Sequence, residues 1–104
     1  MLVSFTDSYY ELLYTGGKIP GKPRFPPEVI KQYRLRIEQI KNSSSTQELT
    51  KFSSLRFKKL EPKDAPDPVY SIRVNDQYRL EFYLDDRGKI QIVQVIRMSD
   101  HYAK

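Results

Sequence analysis

The chain has no cysteine and a single histidine, His101. Disulfide staples, thiolate metal sites and cysteine nucleophiles are thereby excluded, as is a multi-histidine metal centre. Long hydrophobic runs are missing too: the longest apolar stretches, such as IVQVI at 92–96, are far too short to cross a bilayer. The first residues, MLVSFTDSYY, carry neither a basic leader nor a sustained apolar segment, so no signal peptide is expected and the protein is expected in the cytoplasm, away from membranes. Nor does the sequence hold a phosphate-binding glycine loop, a zinc motif, a G-x-S-x-G elbow or carboxylates at metal-ligand spacing. No metal and no cofactor are expected.

Positive charge is what the chain has in excess. Eighteen Lys and Arg stand against 13 Asp and Glu, a formal net charge of +5 on 104 residues. That length predicts one domain, residues 1–104, around one modest core. A basic balance favours polyanionic partners such as RNA, DNA or an acidic protein, yet it equally suits a soluble domain that happens to be basic.

The hydrophobic period divides the chain into two halves. In SFTDSYYELLYTGG, Phe5, Tyr9, Leu12 and Leu13 fall at helical spacing, Thr6 or Asp7 can cap the start, and Gly16-Gly17 stops the run. The Gly- and Pro-rich GGKIPGKPRFPP is a surface loop, and Pro26-Pro27 suits the first turn of a second helix. There Val29, Ile30, Tyr33, Ile37 and Ile40 form an apolar stripe opposite Lys31, Arg34, Glu38 and Lys41. Ser45 with Glu48 makes a capping box for a short third helix.

From Leu55 the period changes to two. LRFKKL, VYSIRV, YRLEFYL and KIQIVQVI read as strands, with a Pro-rich loop after the first and a hairpin turn at Asp85–Gly88 before the last. Helices followed by antiparallel strands predict an α+β domain with helices on one sheet face.

The hairpin VYSIRVNDQYRLEFY fixes its own register. Tyr70, Ile72 and Val74 share one face of the first strand, and Tyr78, Leu80, Phe82 and Leu84 one face of the second. Both sets reach a common core only if Ile72 lies opposite Leu80, because a one-residue slip turns one set outward. Arg73 must then face Arg79, and Ser71 must face Glu81. Like charges opposed across strands cost a few tenths of a kcal/mol and call for a compensating anion or a splay into water. Glu81 can neutralise them and so can a bound phosphate; the hairpin alone leaves both open. The last strand is apolar at nearly every position, so it is expected inside the sheet, but its register is not fixed by pattern.

More cations lie close in sequence: Arg56, Lys58 and Lys59 before the hairpin and Arg97 after it. Arginine suits phosphate because its planar fork donates two parallel hydrogen bonds and stays charged. The tail RMSDHYAK adds His101, which exchanges protons near neutral pH, and Tyr102, which can donate a proton or stack on a base, although a histidine at this place is also an ordinary tail residue. If these groups converge, they suit metal-free RNA cleavage. The 2′-OH attacks the neighbouring phosphorus, a base takes its proton, cations hold the phosphorane charge and an acid assists the leaving 5′-oxygen.

SLRFKKL, YSIRVNDQYRLEF and the terminal HY, together with GKPRFPPEVIKQYRLRIEQI and STQELTKFSSLRF, resemble the HigB-like branch of the RelE/ParE toxin superfamily. The resemblance covers nearly the whole chain and is most specific in SIRVNDQYRLEF. It implies a RelE-like fold, amino-terminal helices on a small curved antiparallel sheet, and the activity of a ribosome-dependent mRNA endoribonuclease from a type II toxin–antitoxin pair. By the same resemblance Arg79 stabilises phosphate, Arg73 holds the message or supports the strand, His101 and Tyr102 supply proton transfer or stacking, and Lys58 and Lys59 lie where family members place His or Lys; the clustered cations Arg56, Lys58, Lys59 and Arg97 are the expected RNA-binding residues. The implied partners are a HigA-like helix-turn-helix antitoxin, the ribosome and mRNA. One departure stands out: where RelE-like enzymes carry two lysines on the strand before the arginine, this chain has Ser71 and Arg73. Two other readings belong beside it, a ParE-like gyrase inhibitor that cuts nothing and a non-catalytic RNA- or partner-binding module.

Overall fold

The computed structural model describes residues 1–63 and 66–100. Its elements in chain order are β1 (Leu2–Phe5), α1 (Ser8–Thr15), α2 (Pro27–Asn42), α3 (Thr46–Thr50), a 3₁₀ turn (Ser53–Leu55), β2 (Lys58–Leu60), β3 (Val69–Arg73), β4 (Tyr78–Asp85) and β5 (Ile92–Asp100). The strands form one sheet in the order β1-β5-β4-β3-β2.

The fold is α+β as expected, with one change to the sheet. β1 precedes the helices and runs parallel to β5, with Leu2 opposite Ile92 and Phe5 opposite Val95, so the sheet is mixed and not wholly antiparallel. Phe5, expected on the first helix, is therefore a strand residue. α1 begins at Ser8, behind one of the two expected caps: the Asp7 side chain accepts from the Tyr9 amide at 2.9 Å. It ends where Gly16 takes a left-handed φ of 80° that lets its amide reach the Leu12 carbonyl. The Arg34 side chain from α2 satisfies another terminal carbonyl, that of Leu13, at 2.8 Å.

α2 starts at Pro27, where a missing N–H costs nothing, and buries Val29, Tyr33, Ile37 and Ile40. Tyr33 is fully buried, and its hydroxyl donates to the Tyr10 carbonyl at 2.8 Å, which satisfies both groups. The third helix has Ser45 at its cap position, but the expected box does not close: Glu48 takes the amide and hydroxyl of Ser44 instead. The first expected strand is shortened to Lys58–Leu60, because Ser53–Leu55 winds into the 3₁₀ turn and buries Leu55.

The hairpin register is the one the pattern required. Ile72 pairs with Leu80, Arg73 with Arg79 and Ser71 with Glu81. Its turn is held by Asn75, whose side-chain oxygen accepts from the amides of Gln77 and Tyr78 at 2.9 and 2.7 Å. β5 lies inside the sheet, between β1 and β4, and runs through Asp100. Its ladder with β4 shifts register beside Glu81 and Phe82: Arg97 pairs with Glu81 and Val95 with Phe82, leaving Ile96 as an extra residue. That bulge puts Val93, Val95 and Met98 together in the core with Ile72, Leu80 and Phe82.

Candidate nucleic-acid interface

Residues opposed across neighbouring strands share a sheet face, so the pairing lists what lies on the side away from the core. Arg73, Arg79 and Ser99 form the first rung. Lys58, Ser71, Glu81 and Arg97 form the second. Tyr83 and Gln94 follow, then Asp85 with Ile92. Charge on this face thus runs from cationic to acidic along β4.

The two opposed arginines avoid each other by turning to different partners. Arg73 swings toward the hairpin turn and pairs with Asp76, whose side chain is almost wholly exposed. Arg79 turns inward: it is 5% exposed, its Nε donates to Ser71 Oγ at 3.0 Å, and its Nη2 donates to the carbonyls of Arg56 and Ser71. The Arg56 carbonyl is available because Arg56 itself sits at φ 47°, a left-handed conformation that costs a non-glycine residue about 1–2 kcal/mol. A part-buried, charge-assisted bond at that carbonyl offsets the strain.

Another arginine, overlooked in the sequence, supports this end of the sheet. Arg36 on α2 donates from Nε to the Arg73 carbonyl at 2.9 Å and from Nη2 to the Val74 carbonyl at 3.4 Å, tying the helix to the hairpin turn. Burial, and then the nearby Arg73 charge, lower its pKa. Its place on the flank of the buried stripe, four residues before Ile40, gave no hint of this partner, since the contact depends on where the turn falls.

Beside the first rung, Ser53, Ser54, Arg56, Phe57, Lys58 and Arg73 line an open groove of about 640 Å³. Arg79 lies behind its wall, holding Arg56. Of the two adjacent lysines, Lys58 lines the groove, whereas Lys59 pairs with Tyr70 on the other face and meets Glu61 at 3.6 Å. Arg97 does not enter the groove; it bridges to Glu81, whose other oxygen accepts from Ser99 Oγ at 2.7 Å. Both carboxylate oxygens of Glu81 are thus engaged. His101 and Tyr102 lie outside the described residues. Among the described residues, no group of acidic, histidine or cysteine side chains is placed to hold a metal ion, and no helix is long and apolar enough to cross a membrane.

A family model for the RelE-like toxin of the type II toxin–antitoxin system HigB matches residues 3–95. The chain belongs to the HigB-like toxin family. The match takes in the hairpin, the groove and both rung arginines, so this surface is that of a toxin whose family pairs with an antitoxin. Among solved structures, the YoeB/ParE toxin from Agrobacterium tumefaciens is similar, with a TM-score of 0.53 at 15% identity over 98% of this chain and 100% of that one. That likeness is one of fold. No curated protein matches the chain.

In this HigB-like toxin the acidic end of the outer face also carries an arginine–aspartate pair, one whose cation is exposed. Arg87 clasps Asp85 through Nε at 3.0 Å and Nη2 at 2.9 Å, and these bonds hold the Asp85 carboxyl down to about 2. A depressed carboxyl pKa contributes stability that is present above the unfolded value, near 3.9, and lost as pH falls through about 2. An NMR titration of the Asp85 carboxyl carbon is expected to show a midpoint near 2. A midpoint close to 4, the value of a free aspartate, would mean the clasp does not form in solution.

Proposed function

We propose that this toxin is an mRNA endoribonuclease that acts on the ribosome without a metal, inhibiting translation until a HigA-like helix-turn-helix antitoxin neutralises it. The reading rests on one observation above all: a cationic rung, Arg73 opposite Arg79, adjoins a groove bearing Arg56 and Lys58 in a HigB-like chain.

The parts divide the work by what each can reach. Arg73 is partly exposed and, among the described residues, its side chain is held by an exposed aspartate in the turn, so a phosphate can exchange with that partner at little cost. Arg56 and Lys58 flank the path of the strand, and their attraction to it weakens steeply with salt. Arg79 acts from behind, as buried positive charge and as the brace that sets Arg56. Proton transfer falls to His101 and Tyr102, assigned by family resemblance, which follow directly on β5 after its Ser99 has reached the Arg79 rung. Lys59 and Arg97 serve at most as peripheral contacts, given their own acidic partners.

The deciding experiment is cleavage of a defined message by purified toxin, with and without programmed ribosomes, read by primer extension. Wild-type protein is expected to cut only with ribosomes, and Arg73→Ala to cut about 10²-fold more slowly, the usual loss for an electrostatic stabiliser. An intact message under every condition, with growth still arrested in cells, would instead favour gyrase inhibition, which a supercoiling assay would reveal.

A further inference from the structure

A second cleft opens on the same outer face, beyond the second rung. It has a volume of about 350 Å³, and Asp67, Tyr83, Asp85 and Gln94 are among its lining residues. Small-ligand clefts run upward from roughly 300 Å³, so this one suits a single planar group and little more. Tyr83 and Gln94 are adjacent across β4 and β5 and both are half-buried. Among the described residues, neither the Tyr83 hydroxyl nor the Gln94 amide nor the Asp67 carboxylate takes a hydrogen-bond partner, whereas Asp85 is occupied by Arg87.

We propose that this cleft is a nucleobase subsite, receiving a base near the scissile phosphate and favouring adenine and cytosine over uracil. The inference rests on the RNA reading above. Tyr83 lies four residues along β4 from Arg79, roughly 13 Å at the rise of a strand, a span that extended RNA covers within a few nucleotides. An aromatic ring offers a stacking surface to any base. A glutamine amide pairs with a base edge through both its donor and its acceptor, and an aspartate accepts from an exocyclic amino group. Adenine and cytosine carry that amino group and uracil does not. Asp85 is neutralised by Arg87, so the negative charge left at the cleft is that of Asp67 and Asp86, which disfavours phosphate there and leaves the base to enter. Glu81 and Arg97 neutralise each other in between, so the strand crosses the second rung without a charge barrier.

The test is binding of labelled 2′-O-methyl hexamers of A, C and U, which cannot be cleaved, followed by fluorescence anisotropy at low salt. The proteins are wild type, Tyr83→Ala, Gln94→Ala and Arg73→Ala, with thermal melts to confirm that each is folded. Wild type is expected to bind the A and C hexamers about ten-fold more tightly than the U hexamer, a typical penalty for one mismatched polar contact. Tyr83→Ala should weaken all of them about ten-fold, and Gln94→Ala should shrink the preference. Binding that falls in Arg73→Ala but keeps its strength and base preference in both cleft variants would overturn the subsite and leave the RNA reading standing. No binding of any hexamer by wild type would overturn the subsite, while the RNA reading itself is decided by the ribosome-dependent cleavage assay. Variants that bind RNA normally but lose affinity for a basic antitoxin segment would reassign the cleft to a protein contact.

Discussion

Arg79→Ala is expected to abolish message cleavage and, separately, to destabilise the fold by about 2–4 kcal/mol. The second effect follows from geometry. Arg79 is 5% exposed and donates to Ser71 Oγ, the Ser71 carbonyl and the Arg56 carbonyl. Truncation leaves these acceptors without their donor and frees Arg56 to leave its left-handed conformation, so the groove wall relaxes. Urea denaturation measures the stability loss, and primer extension on programmed ribosomes measures the activity under conditions where the variant remains folded. Ser71→Ala is the control that separates the two: it removes the Nε acceptor but keeps the charge, so it should cost about 1 kcal/mol and leave most of the cleavage. If Ser71→Ala and Arg79→Ala lose activity in proportion to stability alone, the arginine is a brace and contributes no transition-state charge.

The largest effect on folding is expected from Phe82→Ala. Phe82 is fully buried at the centre of the sheet, stacked on Tyr70 at 6.0 Å between ring centroids and tilted against Phe57 at 6.4 Å. Removing a phenyl ring from such a site costs about 3–5 kcal/mol, the lost transfer energy plus the cavity left behind. Domains of this size have roughly 5–15 kcal/mol of stability, so the variant should be marginally folded. The same urea measurement should find Leu35→Ala nearly silent, within about 0.5 kcal/mol, because Leu35 is 49% exposed on α2. A Phe82→Ala loss below about 1 kcal/mol would mean that the core collapses around the vacancy, contrary to the tight ring packing.

The sequence by itself determined the parts whose information is local. The second helix could be read from its stripe and its leading proline, because helical side chains on one face recur every three to four residues. The β3–β4 register could be read as well, since two short alternating sets had to meet one core, and the confrontation of Arg73 with Arg79 followed from it. Family membership was legible in the same segment. What tertiary structure alone decided depends on partners far apart in the chain. β1 is four residues long and pairs with a strand near the other end of the chain, so no local period announced it. IVQVI in β5 is apolar at every position but Gln94, which hid the bulge at Ile96 and with it the rung that places Ser99 beside Arg79. The direction in which each arginine turned was hidden too: Arg79 goes inward because a strained carbonyl at Arg56 and a serine at Ser71 await it, and Arg73 outward because Asp76 lies in the turn. Alternation specifies a face, but the acceptors that a buried charge finds on that face are supplied by the rest of the fold.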